Sequence, residues 1–72
     1  MIYLQYRLPD LDPRIGEIQR RAAGIPGMEV RPERGPGFTF VHAWSPNDWS
    51  EDQLEGFIHL VEGTTPSYAS LL

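Results

Sequence analysis

The chain has to build a stable core from 72 residues without a single cysteine. No disulfide can therefore constrain the unfolded state, and no thiolate can ligate a metal ion. A chain of this size buries only about 60% of the surface that its unfolded form exposes, so its stability margin is thin. We predict one domain over residues 1–72, to which a partner or a second copy would add stability.

The first third of the chain predicts a strand followed by a helix. Apolar and polar residues alternate over residues 1–8, which is the period-2 pattern of a half-buried strand. Asp12 is a good N-cap, and Pro13 fits the first helical position. Gly24 and Pro26 mark the end of this helix. The side chains predicted to face the core are Leu11, Ile15, Ile18 and Ala22.

Two further strands are predicted at residues 28–31 and 38–44, joined across a proline- and glycine-rich loop as a hairpin. One face of the second strand carries Phe38, Phe40, His42 and Trp44, and the other carries Thr39, Val41 and Ala43. We expect Phe38 and Phe40 to lie in the core. In the alternative, the helices cover the small side chains, and the exposed aromatic row needs a partner or a dimer mate.

The second helix has the clearest start signal in the chain. Ser50 and Gln53 form a capping box, and Trp49 and Leu54 have the spacing of a hydrophobic staple. Gly63 closes the predicted helix. The stripe predicted to be buried consists of Leu54, Phe57, Ile58 and Val61.

The predicted element order is β-α-β-β-α, an α+β domain with a three-stranded sheet and both helices packed on one face. Residues 64–72 are ambiguous. We expect an irregular or short helical segment there, with an edge strand at residues 68–72 as the alternative. The connection rules place the first strand beside either the second or the third and do not decide between them.

Motifs for catalysis and for phosphate or metal binding are missing from the sequence. The only cation site that helix spacing suggests joins Glu55 to His59, and a tight zinc site needs three or four ligands. We therefore expect no catalytic residue, metal or cofactor. Two alternatives stay open: a small histidine-dependent enzyme or enzyme subunit that uses His42, and a homo-oligomer that binds a small ligand between subunits.

The charge of the chain favours a basic protein partner. Its net charge is −4, and residues 35–72 hold five acidic residues and no basic one, which argues against direct nucleic-acid binding. One flank of the second helix combines acidic side chains with an apolar one, a composition suited to a basic partner surface. The predicted contact residues are Glu51, Asp52, Glu55, His59, Leu60 and Glu62.

The sequence thus predicts a small acidic, non-enzymatic protein-binding module. One version is a phage-type inhibitor or adaptor that acts on a nucleic-acid-handling protein, because an acidic face can compete for a site built for phosphates. No apolar run approaches the ~20 residues of a membrane span, and no signal peptide is evident. We expect a cytoplasmic protein without a membrane partner, and homodimer formation stays open.

Overall fold

The chain forms a four-stranded antiparallel sheet and two helices in a computed structural model that describes residues 1–58 and 64–71. The elements are β1 Ile2–Pro9, α1 Pro13–Ala23, β2 Glu29–Arg34, β3 Phe38–Trp44, α2 Glu51–Ile58 and β4 Tyr68–Leu71. The strands lie in the order β2-β3-β1-β4. Because β1 and β2 are both antiparallel to β3, they run parallel with β3 between them, a split β-α-β unit. The predicted α+β class is confirmed.

The prediction of three strands and a non-strand tail is wrong, because Tyr68–Leu71 forms β4. Its register runs from Ile2 opposite Leu71 to Gln5 opposite Tyr68. β1 lies inside the sheet, between β3 and β4. The pairing with β4 therefore supplies hydrogen-bond partners for backbone groups on the side of β1 that faces away from β3. Four mostly exposed residues give no alternation of hydrophobicity, so the strand has almost no signal in the sequence.

The core lies between the helices and one face of the sheet. Leu4, Tyr6 and Leu8 of β1 stand opposite Ala43, Val41 and Thr39 of β3. All six side chains are buried, and Ile18 and Ala22 of α1 and Phe57 of α2 complete the buried set. The helices therefore cover the small side chains of β3. The expectation that Phe38 and Phe40 lie in the core is wrong, because the small side chains leave room for a helix to approach the sheet.

Helix α1 begins and ends where its caps predict. The Asp12 carboxylate accepts a hydrogen bond from the backbone N–H of Arg14 (2.9 Å), and the helix ends before Gly24. Leu11, however, was predicted to be buried and is 89% exposed. It lies in the turn before the cap with φ 66°, a left-handed conformation that costs an L-residue about 1–2 kcal/mol.

Helix α2 begins with the predicted capping box. The Ser50 hydroxyl accepts from the Gln53 N–H (3.3 Å), and the Gln53 side-chain oxygen accepts from the Ser50 N–H (2.9 Å). Trp49 and Leu54 both pack against the core, and the Trp49 ring lies 5.9 Å from that of Phe57. The predicted end of this helix at Gly63 falls outside the described residues. Neither described helix is long and apolar enough to cross a membrane.

Replacing Ser50 with alanine should lower the free energy of unfolding by about 1 kcal/mol, because the variant loses the acceptor for the Gln53 N–H. Ser50→Asp keeps a side-chain acceptor and serves as the matched control. Urea unfolding followed by tryptophan fluorescence measures both variants. Equal unfolding midpoints for the two would show that the cap does not contribute to stability.

Candidate functional site

The face of the sheet opposite the helices carries a continuous row of rings, which we call the aromatic face. Its members are Tyr3, Phe38, Phe40, His42, Trp44 and Tyr68. The strand register explains their alignment, because Tyr3 stands opposite Trp44 while Gln5 stands between His42 and Tyr68. Alternation along each strand places these side chains on the surface that the helices leave uncovered.

The rings contact one another from one end of the row to the other. Phe38 and Phe40 pack edge to face with centroids 5.0 Å apart, and Phe40 lies 6.2 Å from His42. The Trp44 ring lies 6.1 Å from that of His42 and 5.5 Å from that of Tyr3. These separations are typical of favourable aromatic pairs. Mutual packing leaves most of the rings half-buried, while Tyr68 at the sheet edge is 56% exposed.

Charged side chains on this surface are balanced in sign. The guanidinium of Arg7 lies 4.3 Å above the centroid of the Phe38 ring. Arg31 forms an ion pair with Glu29 (2.6 Å), and Glu33 lies 3.4 Å from His42 Nε2. The charged side chains around the aromatic face are thus two arginines, Arg7 and Arg31, and two glutamates, Glu29 and Glu33. This surface lacks the excess positive charge that marks a phosphate-binding site.

A hydrogen-bonded line crosses the middle of the aromatic face. The Tyr3 hydroxyl lies 2.6 Å from His42 Nδ1 and donates to Gln5 Oε1 at 3.1 Å. When the Tyr3 hydroxyl donates its proton to Gln5, its oxygen can accept a hydrogen bond from Nδ1–H of His42. Nε2 of His42 can then also donate to Glu33 only if the imidazole carries a proton on both nitrogens. A neutral imidazole that donates to Glu33 needs the Tyr3 proton at Nδ1 instead. The charge of His42 and the orientation of the Tyr3 hydroxyl are therefore coupled.

The pKa of Tyr3 is raised above that of a free tyrosine. Desolvation is the main cause, and the negative charges of Glu33 and of ionised Tyr68 act in the same direction. Tyr3 therefore keeps its proton at neutral pH. In that state its hydroxyl can donate a hydrogen bond within the line of polar groups.

His42 does not line either of two cavities formed by the described residues. One of about 330 Å³ is lined by Leu11, Asp12, Ile15, Gly16, Pro32, Arg34 and Thr39. The other, of about 290 Å³, is lined by Ile2, Glu51, Leu54, Ala69, Ser70 and Leu71. Within residues 1–58 and 64–71, no cluster of three or more histidine, aspartate or glutamate side chains could hold a metal ion. The imidazole of His42 consequently faces an open aromatic surface.

The acidic flank predicted on α2 is described only in part. Glu51, Asp52 and Glu55 are exposed on this helix. His59, Leu60 and Glu62 lie outside the described residues, so the structure does not test their grouping with the other three. Because Phe57 of α2 enters the core, this helix lies on the side of the sheet away from the aromatic face.

The sequence did not single out Tyr3 and Tyr68 as site residues. Tyr3 belongs to the side of β1 that also carries Gln5 and Arg7, whereas the core side carries aliphatic residues and Tyr6. That polar composition was the available signal that the aromatic row of β3 faces outward, because adjacent strands share their two faces. Tyr68 had no such signal, since β4 itself was not predicted.

Comparison with known proteins does not assign the chain to a family. No family model matches it, and neither a curated protein nor a solved structure matches it.

Proposed function

We propose that the protein is a non-enzymatic protein-binding module and that its aromatic face contacts the partner. The observation that carries this proposal is the unbroken row of partly exposed rings on a sheet face that neither described helix covers. Covering apolar surface gains roughly 25 cal/mol per Å² removed from water. Tyrosine and tryptophan are also the residues that most often dominate binding energy at protein interfaces.

A protein fits this surface better than a nucleic acid. Bases do stack on the aromatic faces of sheets, but sites of that kind add a positively charged track for the phosphates. Here the charges around the rings balance, and the whole chain has a net charge of −4. Net negative charge attracts basic surfaces and speeds their association. A partner with a basic surface, such as a protein that handles nucleic acid, is therefore the expected class.

The contact between Tyr3 and His42 is the one observation that favours the alternative, a histidine-dependent enzyme. Acid–base catalysis also needs a substrate held in position against the imidazole. His42 lines neither the cavity at Leu11 and Ile15 nor the one at Ile2 and Leu54, which gives this alternative less support than the binding module. His42→Asn separates the two functions, because it removes the titratable group while keeping a polar side chain on the face.

The test is quantitative capture of partners from the native host with three matched proteins. The first is wild type, and the second is the double variant Phe40→Thr with Trp44→Thr, which keeps β-branched side chains on β3. The third replaces Glu51, Asp52 and Glu55 by Gln, Asn and Gln, which removes acidic charge from α2. We expect the double variant to lose at least about tenfold in affinity, because it loses two central aromatic contacts. The α2 variant should mainly associate more slowly at low salt.

Circular dichroism and urea unfolding must first show that all three proteins are folded. Equal capture by the folded double variant and by wild type would rule out the aromatic face as the binding surface. Capture that nuclease treatment abolishes would assign the surface to nucleic acid. A wild-type dimer in sedimentation that the double variant converts to monomer would identify a second copy as the occupant.

A further inference from the structure

We infer that one end of the aromatic face binds a cationic side chain of the partner, a lysine or arginine, through cation–π contacts. This end consists of Tyr3, Trp44 and Tyr68, and we call it the aromatic corner. The inference rests on the proposed function and names the chemical group that the partner presents to this part of the face.

The aromatic corner brings together rings from three adjacent strands. Tyr3 of β1 lies between Trp44 of β3 and Tyr68 of β4, at centroid distances of 5.5 and 6.1 Å. The planes are tilted by 43° and 56°. The Tyr3 ring stacks on that of His42 at 5.9 Å and 18°, whereas the tilted Trp44 and Tyr68 rings leave π surface that parallel stacking would cover. The exposed Tyr68 at the sheet edge gives a ligand access to this group of rings.

Cation–π chemistry is already present at the other end of the same face. Arg7 places its guanidinium 4.3 Å above the centroid of Phe38, well within the ~6 Å range of the interaction. Tryptophan and tyrosine are the aromatic residues of the corner, and tryptophan is the strongest partner for a cation. The strand neighbour of His42 on β2 is Arg31, which is paired with Glu29. Within the described residues, no arginine lies over the corner as Arg7 lies over Phe38.

The ring quadrupoles and the net charge of the chain favour a cation over an anion at the aromatic corner. The whole chain has a net charge of −4, and the described residues over the corner include no arginine. On β2 the residue opposite Trp44 is Glu29. Glu29 is paired with Arg31, so the local charge is balanced. A neutral apolar group would gain from burial at this position, but only a cation gains from the ring quadrupoles and from the net negative charge of the chain as well. That difference provides the test.

The probes are choline and 3,3-dimethylbutan-1-ol, which have nearly the same shape and differ in the replacement of the charged nitrogen by carbon. Each is titrated into the ¹⁵N-labelled full chain at about pH 8, where an ordinary imidazole is neutral. Choline should shift the indole N–H signal of Trp44 and the amide signals of Tyr3 and Tyr68. Its affinity should exceed that of the alcohol about two- to fivefold, the ratio that an exposed cation–π contact supplies.

Two variants of matched chemistry locate the effect. Tyr68→Leu keeps an apolar side chain at the exposed edge but removes one of the three π systems, so the preference for choline over the alcohol should fall below the wild-type ratio. Trp49→Leu removes a ring at the start of α2, on the other side of the sheet, and it should leave that preference unchanged. Equal affinities of wild type for both probes, or choline shifts centred on Phe38 instead of Trp44, would overturn the inference.

Failure here can be told apart from failure of the proposed function. If the Phe40→Thr/Trp44→Thr variant loses the partner while wild type does not prefer choline, the aromatic face stands as the binding surface and the cationic ligand is wrong. If that variant keeps its partner, the proposed function itself is wrong.

Discussion

Replacing Phe57 with alanine should lower the free energy of unfolding by about 3–5 kcal/mol, the range measured for large-to-small changes of buried aromatic residues. Phe57 is only 3% exposed and is the one buried residue of α2 within the described part of the chain. Its ring also supports Trp49 at the start of the helix. Small domains have a total stability of about 5–15 kcal/mol, so this single change removes a large part of it.

Phe40→Ala is the matched control for this prediction, because it removes the same ring from the opposite side of the sheet. Phe40 is partly exposed on the aromatic face and should lose clearly less stability than Phe57. Urea unfolding at 25 °C followed by tryptophan fluorescence and circular dichroism compares the two variants. If both lose the same stability, the core does not lie between α2 and the sheet as described.

Raising the pH above 10 should destabilise the protein through Tyr6. Burial raises the pKa of this side chain from 10.0 to about 12. Below pH 10 both folded and unfolded chains keep the proton, so stability is unaffected. Between the two pKa values the unfolded chain ionises and the folded chain does not, so stability falls with rising pH. At about 1.4 kcal/mol per unit of pKa difference, the loss reaches about 2–3 kcal/mol.

Tyr6→Phe tests this directly, because it keeps the buried ring and removes the ionisable hydroxyl. Unfolding free energies measured between about pH 8 and pH 12 should fall much less in the variant than in wild type. The pKa of Tyr3 is also raised, and a Tyr3→Phe variant measures its separate share. Parallel curves for wild type and Tyr6→Phe would show that Tyr6 is not the group that titrates.

The parts of the fold that the sequence predicted correctly are those set by local contacts. The caps at Asp12 and Ser50 each depend on residues two or three positions away, and both form as expected. The two faces of β3 were also assigned correctly as sets, because alternation along a strand is a local property. Which of those faces meets the helices depends on the register with β1 and on helix packing, and no pattern within β3 itself contains that information.

The same limit applies to the candidate site. An acidic flank on one helix is formed by residues a few positions apart in the sequence, such as Glu51 and Glu55, and a local pattern can therefore predict it. The aromatic corner takes its three rings from strands that are distant in the chain and adjacent in the sheet. Tyr68 in particular could join the site only after β4 had been placed beside β1.

The position of β1 inside the sheet also determines the order in which the molecule can assemble. The hairpin of β2 and β3 joins neighbouring segments, whereas β1 pairs with the distant β3 and with β4, where Ile2 meets Leu71. Closing such long loops costs conformational entropy before the paired strands gain any stabilising contact. Local strand pairs therefore form early and non-local pairs form late. Until then Leu4, Tyr6 and Leu8 lie on a strand without neighbours. A strand that lies inside the native sheet is therefore open to aggregation during folding.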